Sequence, residues 1–337
     1  MLPIANAIEE IAGVEPQSLS DELLTRTQPA VLRGLVSSWP VARAGRDSAA
    51  ATDAYLRRFY KDATVNAMLG APDIGGRFFY SDDLSGFNFK PVRIRLDAVL
   101  DEIARQSKSE IPPAIYVGST TVDTCLPGFR AENDLALGNR QPLVSIWLGN
   151  RTRIAAHHDL PDNIACVVAG RRRFTLFPPE QLENLYIGPL DFTPAGQAIS
   201  LVDFARPDFA KFPKFAAALQ QAQVAELGPG DAIFIPSMWW HHIESLEALN
   251  VLVNYWWRQS PAFMDSPMNA LMLAILTVRD LPPEQLEAWQ NLFRHYVFEA
   301  DERTAAHIPP QARRVLGPLD PESARELRAR LLQRLNR

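Results

Sequence analysis

Cysteine is scarce in this sequence, which contains only Cys125 and Cys166 among its 337 residues. Two cysteines exclude the dense disulfide framework of small secreted domains and favour a reducing compartment, so we expect a cytoplasmic protein. Cys166 lies within an apolar run, where a cysteine is expected to behave as a small buried hydrophobic residue.

Long hydrophobic runs and an excess of positive charge are also missing. No stretch approaches the roughly 20 apolar residues that a membrane helix needs. The N-terminal MLPIANAIEEIAGV carries acids instead of the basic start of a secretory signal. The net charge of −5 and the pI of about 5.7 predict neither a nucleic-acid nor a membrane partner. The hydrophobic content of 47% is sufficient for a large core, in one or two domains.

Histidine is rare as well, and its distribution is uneven. Four of the six histidines form two adjacent pairs, His157–His158 and His241–His242, each beside a β-like run. In an extended strand His157 and Asp159 point to the same face, while His158 points away. A third ligand from the distant pair would complete the set of two histidines and one carboxylate that non-haem Fe(II) oxygenases use. The alternative is a chance HxD motif without a metal.

An arginine follows in a position that predicts burial. The runs Asn163–Ala169 and Arg171–Phe177 are joined at Gly170, which predicts a β-hairpin. Alternation places Arg172 on the same face as two apolar residues. A guanidinium on an inward face is costly unless it meets an anion, and its planar fork suits a carboxylate. For the two flanking arginines a solvated basic turn is the simpler interpretation.

A second apolar strand carries one isolated polar side chain. The sequence predicts a hairpin around Leu246–Leu249 that leads into the strand Asn250–Trp257. Asn254 is the single polar residue on its face of this strand. In a buried strand an amide needs a partner, which would be a bound carboxylate, a metal-linked water or a backbone carbonyl.

Taken together, these motifs resemble a known family. HxD, Asn163, GRRRFTLFPP, GDAIFIPSMWWHHIES and VNYWW are similar to the JmjC family of cupin-type 2-oxoglutarate oxygenases, nearest to the subgroup of the asparaginyl hydroxylase factor inhibiting HIF. The resemblance covers roughly residues 32–258. It implies a mainly β fold, a double-stranded β-helix (jelly-roll) barrel flanked by N-terminal α/β elements and C-terminal helices.

The resemblance also implies roles for individual residues. His157, Asp159 and His241 match the Fe(II) ligands, which leaves His242 a role either in packing or in supporting the ligands. The residues that match the 2-oxoglutarate pocket are Arg172, Asn163, Asn254 and Tyr116. Two positions depart from the subgroup: Arg172 stands where the subgroup has a lysine for the distal carboxylate, and Ile154 replaces a threonine that would donate a hydrogen bond.

Three regions are expected along the chain. Residues 1–110 form flanking strands and helices, 111–260 the catalytic barrel, and 261–337 a helical region that, by resemblance, forms a homodimer. The polar loops Asp82–Phe89 and Thr120–Arg140 are expected to carry substrate choice, because loops on a rigid barrel often do so. Tyr80 either projects towards the iron or is a core aromatic residue.

The predicted activity is that of an oxygenase requiring Fe(II), 2-oxoglutarate and O2. It would hydroxylate a protein side chain or a small molecule, with release of succinate and CO2. One alternative is an N-methyl-lysine demethylase of the same family. Another is a metal-binding cupin that acts as a sensor or scaffold without turnover.

Overall fold

Two large mixed β-sheets dominate the computed structural model, which describes residue 2 and residues 4–336. This arrangement confirms the predicted mainly β fold. Within the described residues the strands, in chain order, are β1 (Asn6–Ala7), β2 (Glu9–Ala12), β3 (Ala30–Arg33), β4 (Thr64–Gly70), β5 (Arg77–Phe78), β6 (Phe89–Arg95), β7 (Ala114–Thr121), β8 (Leu143–Gly149), β9 (Arg153–His157), β10 (Asp162–Ala169), β11 (Arg172–Phe177), β12 (Gln223–Leu227), β13 (Ala232–Ile235), β14 (Trp240–Ser245) and β15 (Asn250–Trp257).

The smaller sheet has six strands in the order β1-β12-β11-β14-β9-β5. The two histidine-bearing strands, β9 and β14, are antiparallel neighbours, and β11 lies on the other side of β14. Because β9, β14 and β11 are all internal to the sheet, their backbones are held by hydrogen bonds on both sides. The sheet is therefore a rigid support for the side chains that they carry.

The larger sheet has nine strands in the order β2-β3-β13-β10-β15-β8-β7-β4-β6. All eight residues of β10 are buried, which explains why its sequence is apolar from Ile164 onwards. A hydrophobic cluster joins the two sheets, with Ala165 and Leu252 from the larger one and Phe174 and Leu176 from the smaller one. The inner faces of the sheets thus pack against each other.

Both predicted hairpins are wrong. Strand β10 pairs with β13 and β15, whereas β11 pairs with β12 and β14, so the chain crosses from the larger to the smaller sheet at Gly170. Strands β14 and β15 are likewise in different sheets. Gly170 has a φ of +71°, and a Cβ built on it would lie 2.4 Å from the Leu249 carbonyl oxygen and from Asn250 Oδ1. A glycine fits both a hairpin turn and a corner between sheets, so the sequence did not distinguish them.

The helices lie mainly at the two ends of the chain. In helix α4 the apolar residues repeat at helical spacing, so that Leu96, Val99, Leu100 and Ile103 form its buried inner face. Among the described residues no helix combines the length and apolar character that a membrane span requires. The helices are α1 (Asp21–Leu24), α2 (Pro40–Asp47), α3 (Ala49–Phe59), α4 (Leu96–Gln106), α5 (Val122–Cys125), α6 (Phe215–Gln221), α7 (Pro267–Thr277), α8 (Pro283–Phe293) and α9 (Pro321–Leu335).

The chain divides into two compact units, Met1–Gln259 and Ser260–Arg337. Residues 1–110, which the sequence analysis sets apart as a flanking region, contribute strands to both sheets and lie in the first unit. The second unit contains α7, α8 and α9. Its α7 begins at a Ser266 N-cap, whose side chain accepts from the Met268 N–H, and Pro267 follows in the first turn, where proline is favoured.

Candidate metal centre

Three potential metal ligands converge on the inner face of the six-stranded sheet. The register of β9 and β14 places His157 directly opposite His241. Asp159 follows β9 by two residues. The potential ligand atoms of these three side chains all lie within 4.8 Å of one another. The imidazole centroids are 4.3 Å apart, and His241 Nε2 lies 3.6 Å from Asp159 Oδ2. Two imidazoles and one carboxylate therefore face a common point.

The hydrogen bonds of both imidazoles determine their tautomers. His157 Nδ1 lies 2.9 Å from the Ala155 carbonyl oxygen, and His241 Nδ1 lies 3.0 Å from that of Trp239. A carbonyl oxygen can only accept, so Nδ1 carries the proton in each neutral ring. Each Nε2 then presents a lone pair, which is the form that binds a metal ion.

Hydrogen bonds join the loop that follows β9 to the turn that precedes β14. The Met238 N–H donates to the Asp159 carbonyl oxygen at 2.9 Å, and the Ser237 hydroxyl donates to that of Leu160 at 2.6 Å. The Ser237 N–H donates to Asp162 Oδ1 at 2.9 Å. Met238 has a φ of +69°, a backbone conformation that residues other than glycine rarely adopt. The turn therefore ties the position of Asp159 to the start of β14.

Burial favours the neutral form of His241. Its side chain is 3% exposed, and this desolvation, with a contribution from His157, lowers its pKa to about 4. The nearby Asp159 carboxylate acts in the opposite direction but does not offset the burial. The imidazole is thus neutral at physiological pH, and no proton has to leave it before a metal ion binds.

The second histidine of each pair lies outside the cluster. His158 packs edge-on against the Trp240 ring, with centroids 4.6 Å apart. His242 packs against Phe204 at the same centroid separation. Both contacts are ordinary aromatic packing, and they leave His157 and His241 as the histidines that face the cavity.

A cavity of about 420 Å³ lies between the sheets and contains the three ligands. Arg172 also lines it, on the face of β11 that alternation predicts, and is only 3% exposed. Its Nε atom is buried without a hydrogen-bond partner, and no carboxylate pairs with it among the described residues. Desolvation lowers the pKa of Arg172 to about 10, so the group remains charged at neutral pH. A buried cation without a counter-ion is costly, and an anionic ligand would compensate it.

A chain of side-chain hydrogen bonds crosses the opposite wall. Trp147 Nε1 donates to Asn254 Oδ1 at 2.7 Å, and Asn254 Nδ2 donates to Asn163 Oδ1 at 3.3 Å. Both partners of Asn254 are side chains of the cavity wall, whereas the alternatives that its sequence context left open are a bound carboxylate, a metal-linked water and a backbone carbonyl. These two hydrogen bonds fix the orientation of the Asn254 and Asn163 amides.

Tyr116 and Ile154 complete the comparison with the residues singled out by resemblance. Both line the cavity. Burial raises the pKa of the Tyr116 phenol well above its usual range, so its hydroxyl remains a hydrogen-bond donor. The structure thus brings every predicted metal and 2-oxoglutarate residue to one cavity.

Tyr80 is a core aromatic residue, one of the two roles that the sequence left open. It does not line the cavity: the side chain is 2% exposed, and its hydroxyl donates to the Phe192 carbonyl oxygen at 2.6 Å. No residue of Thr120–Arg140 lines the cavity either. Instead, apolar side chains of that segment, including Val122 and Phe129, are buried in the main core. The polar composition of this segment gave no sign of these buried side chains, and its role in substrate choice stays a prediction.

The sequence analysis missed several lining residues. Trp147 could have been found from the sequence, because it lies two residues from Ser145 in β8 and therefore on the same face of the strand. Gln197 could not, because it lies in the irregular connector between β11 and β12. In the structure its amide Nε2 donates to Asp159 Oδ1 at 3.2 Å.

Comparison with known proteins is consistent with this geometry. A family profile described as "Cupin-like domain" matches residues 16–263. Lysine-specific demethylase 8 of Xenopus tropicalis is 26% identical over 76% of this chain and 55% of its own length. HSPB1-associated protein 1 of Homo sapiens is 30% identical over 44% of this chain and 30% of its own. The tRNA wybutosine-synthesizing protein 5 of Gallus gallus is 36% identical over 32% of this chain and 30% of its own length.

The chain spans between 30% and 55% of the length of these three relatives. Membership of the factor-inhibiting-HIF subgroup stays a prediction, whereas the profile match extends over most of the chain and includes every residue of the candidate site. The chain therefore belongs to the family of cupin-like domains of the JmjC type.

Proposed function

We propose that this protein is an Fe(II)- and 2-oxoglutarate-dependent oxygenase that hydroxylates a protein side chain or a small molecule. The observation that carries the proposal is the pairing, in one cavity, of the His157–Asp159–His241 cluster with a buried, unpaired guanidinium. The cluster alone is consistent with any metal-binding cupin. The guanidinium of Arg172 adds a reason for a dicarboxylate ligand to bind beside the metal.

The donor set fits Fe(II). Two neutral imidazoles and one carboxylate supply three of the positions of an octahedral ion, which leaves the others for ligands that the protein does not provide. His157, Asp159 and His241 would hold the ion. When bound, Fe(II) together with 2-oxoglutarate and O2 supplies the oxidising chemistry that hydroxylates a C–H bond, with succinate and CO2 as the other products.

The polar side chains of the cavity fit 2-oxoglutarate. Arg172 would bind the distal carboxylate through charge-assisted hydrogen bonds. The Tyr116 hydroxyl and the Asn163 amide are further neutral donors on the wall formed by the larger sheet. Ile154 offers no hydrogen bond at its position. Apolar neighbours such as Phe78 and Leu252 exclude water, which strengthens each of these polar contacts.

The charges of the cavity favour hydroxylation of a neutral group over demethylation. Asp159 is the one carboxylate among the described residues that line the cavity, and it belongs to the metal cluster. A methylated ammonium group would lose its hydration there without gaining a free counter-ion. N-methyl-lysine demethylation remains the second candidate, since one of the relatives is named as a lysine-specific demethylase.

The test is turnover by the purified protein with Fe(II), 2-oxoglutarate and O2. We expect succinate release that rises with the correct substrate, together with an oxygen-atom mass increment on that substrate. Arg172→Met should abolish the release, whereas Arg171→Met, the exposed neighbour in an ion pair with Glu247, should leave it unchanged. Formaldehyde release would favour the demethylase instead. Metal binding without succinate release from any candidate would favour the sensor or scaffold.

We further propose that the protein is a homodimer through its C-terminal unit. Among the described residues of that unit the buried hydrophobic side chains are Ala305 and Ala324. Exposed apolar surface on this scale is typical of an interface. The large exposed hydrophobic residues there are Met264, Leu271, Met272, Leu276, Trp289, Leu292, Tyr296, Val297, Phe298, Val315, Leu316, Leu319, Leu331, Leu332 and Leu335.

Light scattering after size exclusion tests the dimer. The wild-type protein should have twice the mass of its chain, and a double change such as Leu276→Asp with Leu332→Asp should yield monomers. A wild-type protein that is monomeric at all accessible concentrations would contradict the proposal.

A further inference from the structure

The connector between β11 and β12 contains a segment, Leu190–Ala198, that we call the cover segment. Both of its ends are held by a short bridge between Ile187 and Ser200. The Gly188 N–H donates to the Ile199 carbonyl oxygen at 2.9 Å, and the Ser200 N–H donates to that of Ala156 at 2.8 Å. Since Ala156 directly precedes His157, the base of the cover segment is attached to the strand that carries the first metal ligand.

Aromatic contacts hold the middle of the cover segment. The Phe192 ring stacks on Phe87 with centroids 4.8 Å apart and an interplanar angle of 18°. The Tyr80 ring also packs against the Phe192 ring, and the Tyr80 hydroxyl donates to the Phe192 carbonyl oxygen. Tyr80, which the sequence analysis considered as an iron neighbour, thus contributes by holding this segment.

The far end of the cover segment reaches the metal cluster. Pro194, Ala195 and Gln197 line the cavity. Gln197 Nε2 donates to Asp159 Oδ1 at 3.2 Å, while Asp159 Oδ2 lies 3.6 Å from His241 Nε2. The two carboxylate oxygens therefore have different neighbours: one accepts from Gln197, and the other faces the imidazoles. Among the described residues, Gln197 supplies the side-chain hydrogen-bond donor to this carboxylate.

We propose that Gln197 is a positioning residue for Asp159, and that the cover segment couples metal affinity to closure over the cavity. A carboxylate can rotate about its last bond, and the hydrogen bond to Oδ1 limits this rotation, so that Oδ2 stays directed at the metal position. Partners of this kind typically change metal affinity by about 10- to 100-fold when they are removed. The inference rests on the proposed metal site but concerns a residue that is not itself a ligand.

Titration of the chelator-treated protein with Co(II), followed by visible absorption, tests the role of Gln197 without reference to turnover. Gln197→Met keeps the length of the side chain and removes the donor. We expect its dissociation constant for Co(II) to rise by about 10- to 100-fold, with changed intensities of the Co(II) absorption bands. Asp191→Ala, an exposed position on the same segment, is the matched control and should bind Co(II) like the wild type.

A second variant tests the coupling to closure. Phe192→Ala removes the stacked ring but leaves Gln197 in place, and it should weaken Co(II) binding in the same direction while increasing amide hydrogen exchange of residues 190–198. Equal Co(II) affinity of wild type and Gln197→Met would overturn the positioning role alone. An unchanged affinity in Phe192→Ala despite faster exchange would overturn the coupling. Failure of the wild type to bind Co(II) would instead overturn the proposed function.

Discussion

Replacing Arg172 with methionine is expected to change folding stability and ligand binding in opposite directions. The guanidinium is 3% exposed and has no carboxylate partner among the described residues. The fall of its pKa from 12.5 to about 10 is due mainly to desolvation and corresponds to a penalty of about 3 kcal/mol. Because the group is charged at any pH below about 10, this penalty is present throughout the range in which the protein would be studied.

Methionine retains most of the aliphatic length and carries no charge. The free energy of unfolding of the metal-free protein should therefore rise by about 2 kcal/mol, after part of the gain is lost to imperfect packing. The affinity of the metal-loaded protein for 2-oxoglutarate should fall by about 100-fold, since an anion would then be buried without its cationic partner. One side chain would thus be unfavourable for folding and necessary for binding.

Urea unfolding in the presence of a chelator and calorimetric titration with 2-oxoglutarate measure the two effects. The control is Arg171→Met, which alters an exposed side chain and should change stability by less than about 0.5 kcal/mol. A lower stability of Arg172→Met would mean that the guanidinium has a counter-ion in the metal-free protein. Unchanged binding of 2-oxoglutarate would mean that this ligand does not contact Arg172. Either result would refute the reasoning.

Three further predictions concern the framework of the site. Gly170→Ala should cost about 3 kcal/mol or more in urea unfolding, because its Cβ would meet the Leu249 carbonyl oxygen, whereas Gly13→Ala, with a φ of +74° and nothing within 4 Å, should cost about 1 kcal/mol. In the chelator-treated protein His241 should account for a loss on the order of 3 kcal/mol as the pH falls from 6.5 to 4, because the unfolded chain takes up a proton that buried His241 does not; His242, whose pKa burial lowers to about 3, acts in the same sense, so His241→Gln should reduce the slope without abolishing it. Ser237→Ala, which leaves the Leu160 carbonyl oxygen without its donor, should cost about 1 kcal/mol and measurably weaken Co(II) binding.

The sequence predicts local structure well where a single periodicity dominates. Leu96–Gln106 is a helix whose apolar residues repeat at helical spacing and bury one face, a pattern visible in the sequence alone. The inward position of Arg172 follows from alternation along β11 in the same way. These features depend on residues that are close in the sequence, so they can be predicted without knowledge of the fold.

Pairing between strands was not predictable by the same means. A glycine between two apolar runs fits a hairpin and a corner between sheets equally well, so the sheet change at Gly170 went unrecognised. In the structure, the strands on either side of Gly170 lie in different sheets, and Leu249 and Asn250 occupy the space beside the glycine. Pairing of β9 with β14 spans about eighty residues and depends on the whole arrangement of the barrel.

The least predictable part of the site is the cover segment. Gln197 lies in a connector without periodicity, and both its contact with Asp159 and the stack of Phe192 on Phe87 join parts of the chain that are distant in sequence. The metal ligands, in contrast, follow from the spacing of HxD together with the resemblance. Sequence reasoning thus identified the chemical groups of the site, while the structure identified the residues that orient them.

The most direct test of this account is anomalous scattering at the iron edge, from crystals grown without oxygen in Fe(II) and 2-oxoglutarate. The account predicts one iron peak per chain, bonded to Nε2 of His157, Nε2 of His241 and the carboxylate of Asp159, with the distal carboxylate of 2-oxoglutarate on Arg172. An iron peak elsewhere, or a 2-oxoglutarate molecule that does not contact Arg172, would contradict it.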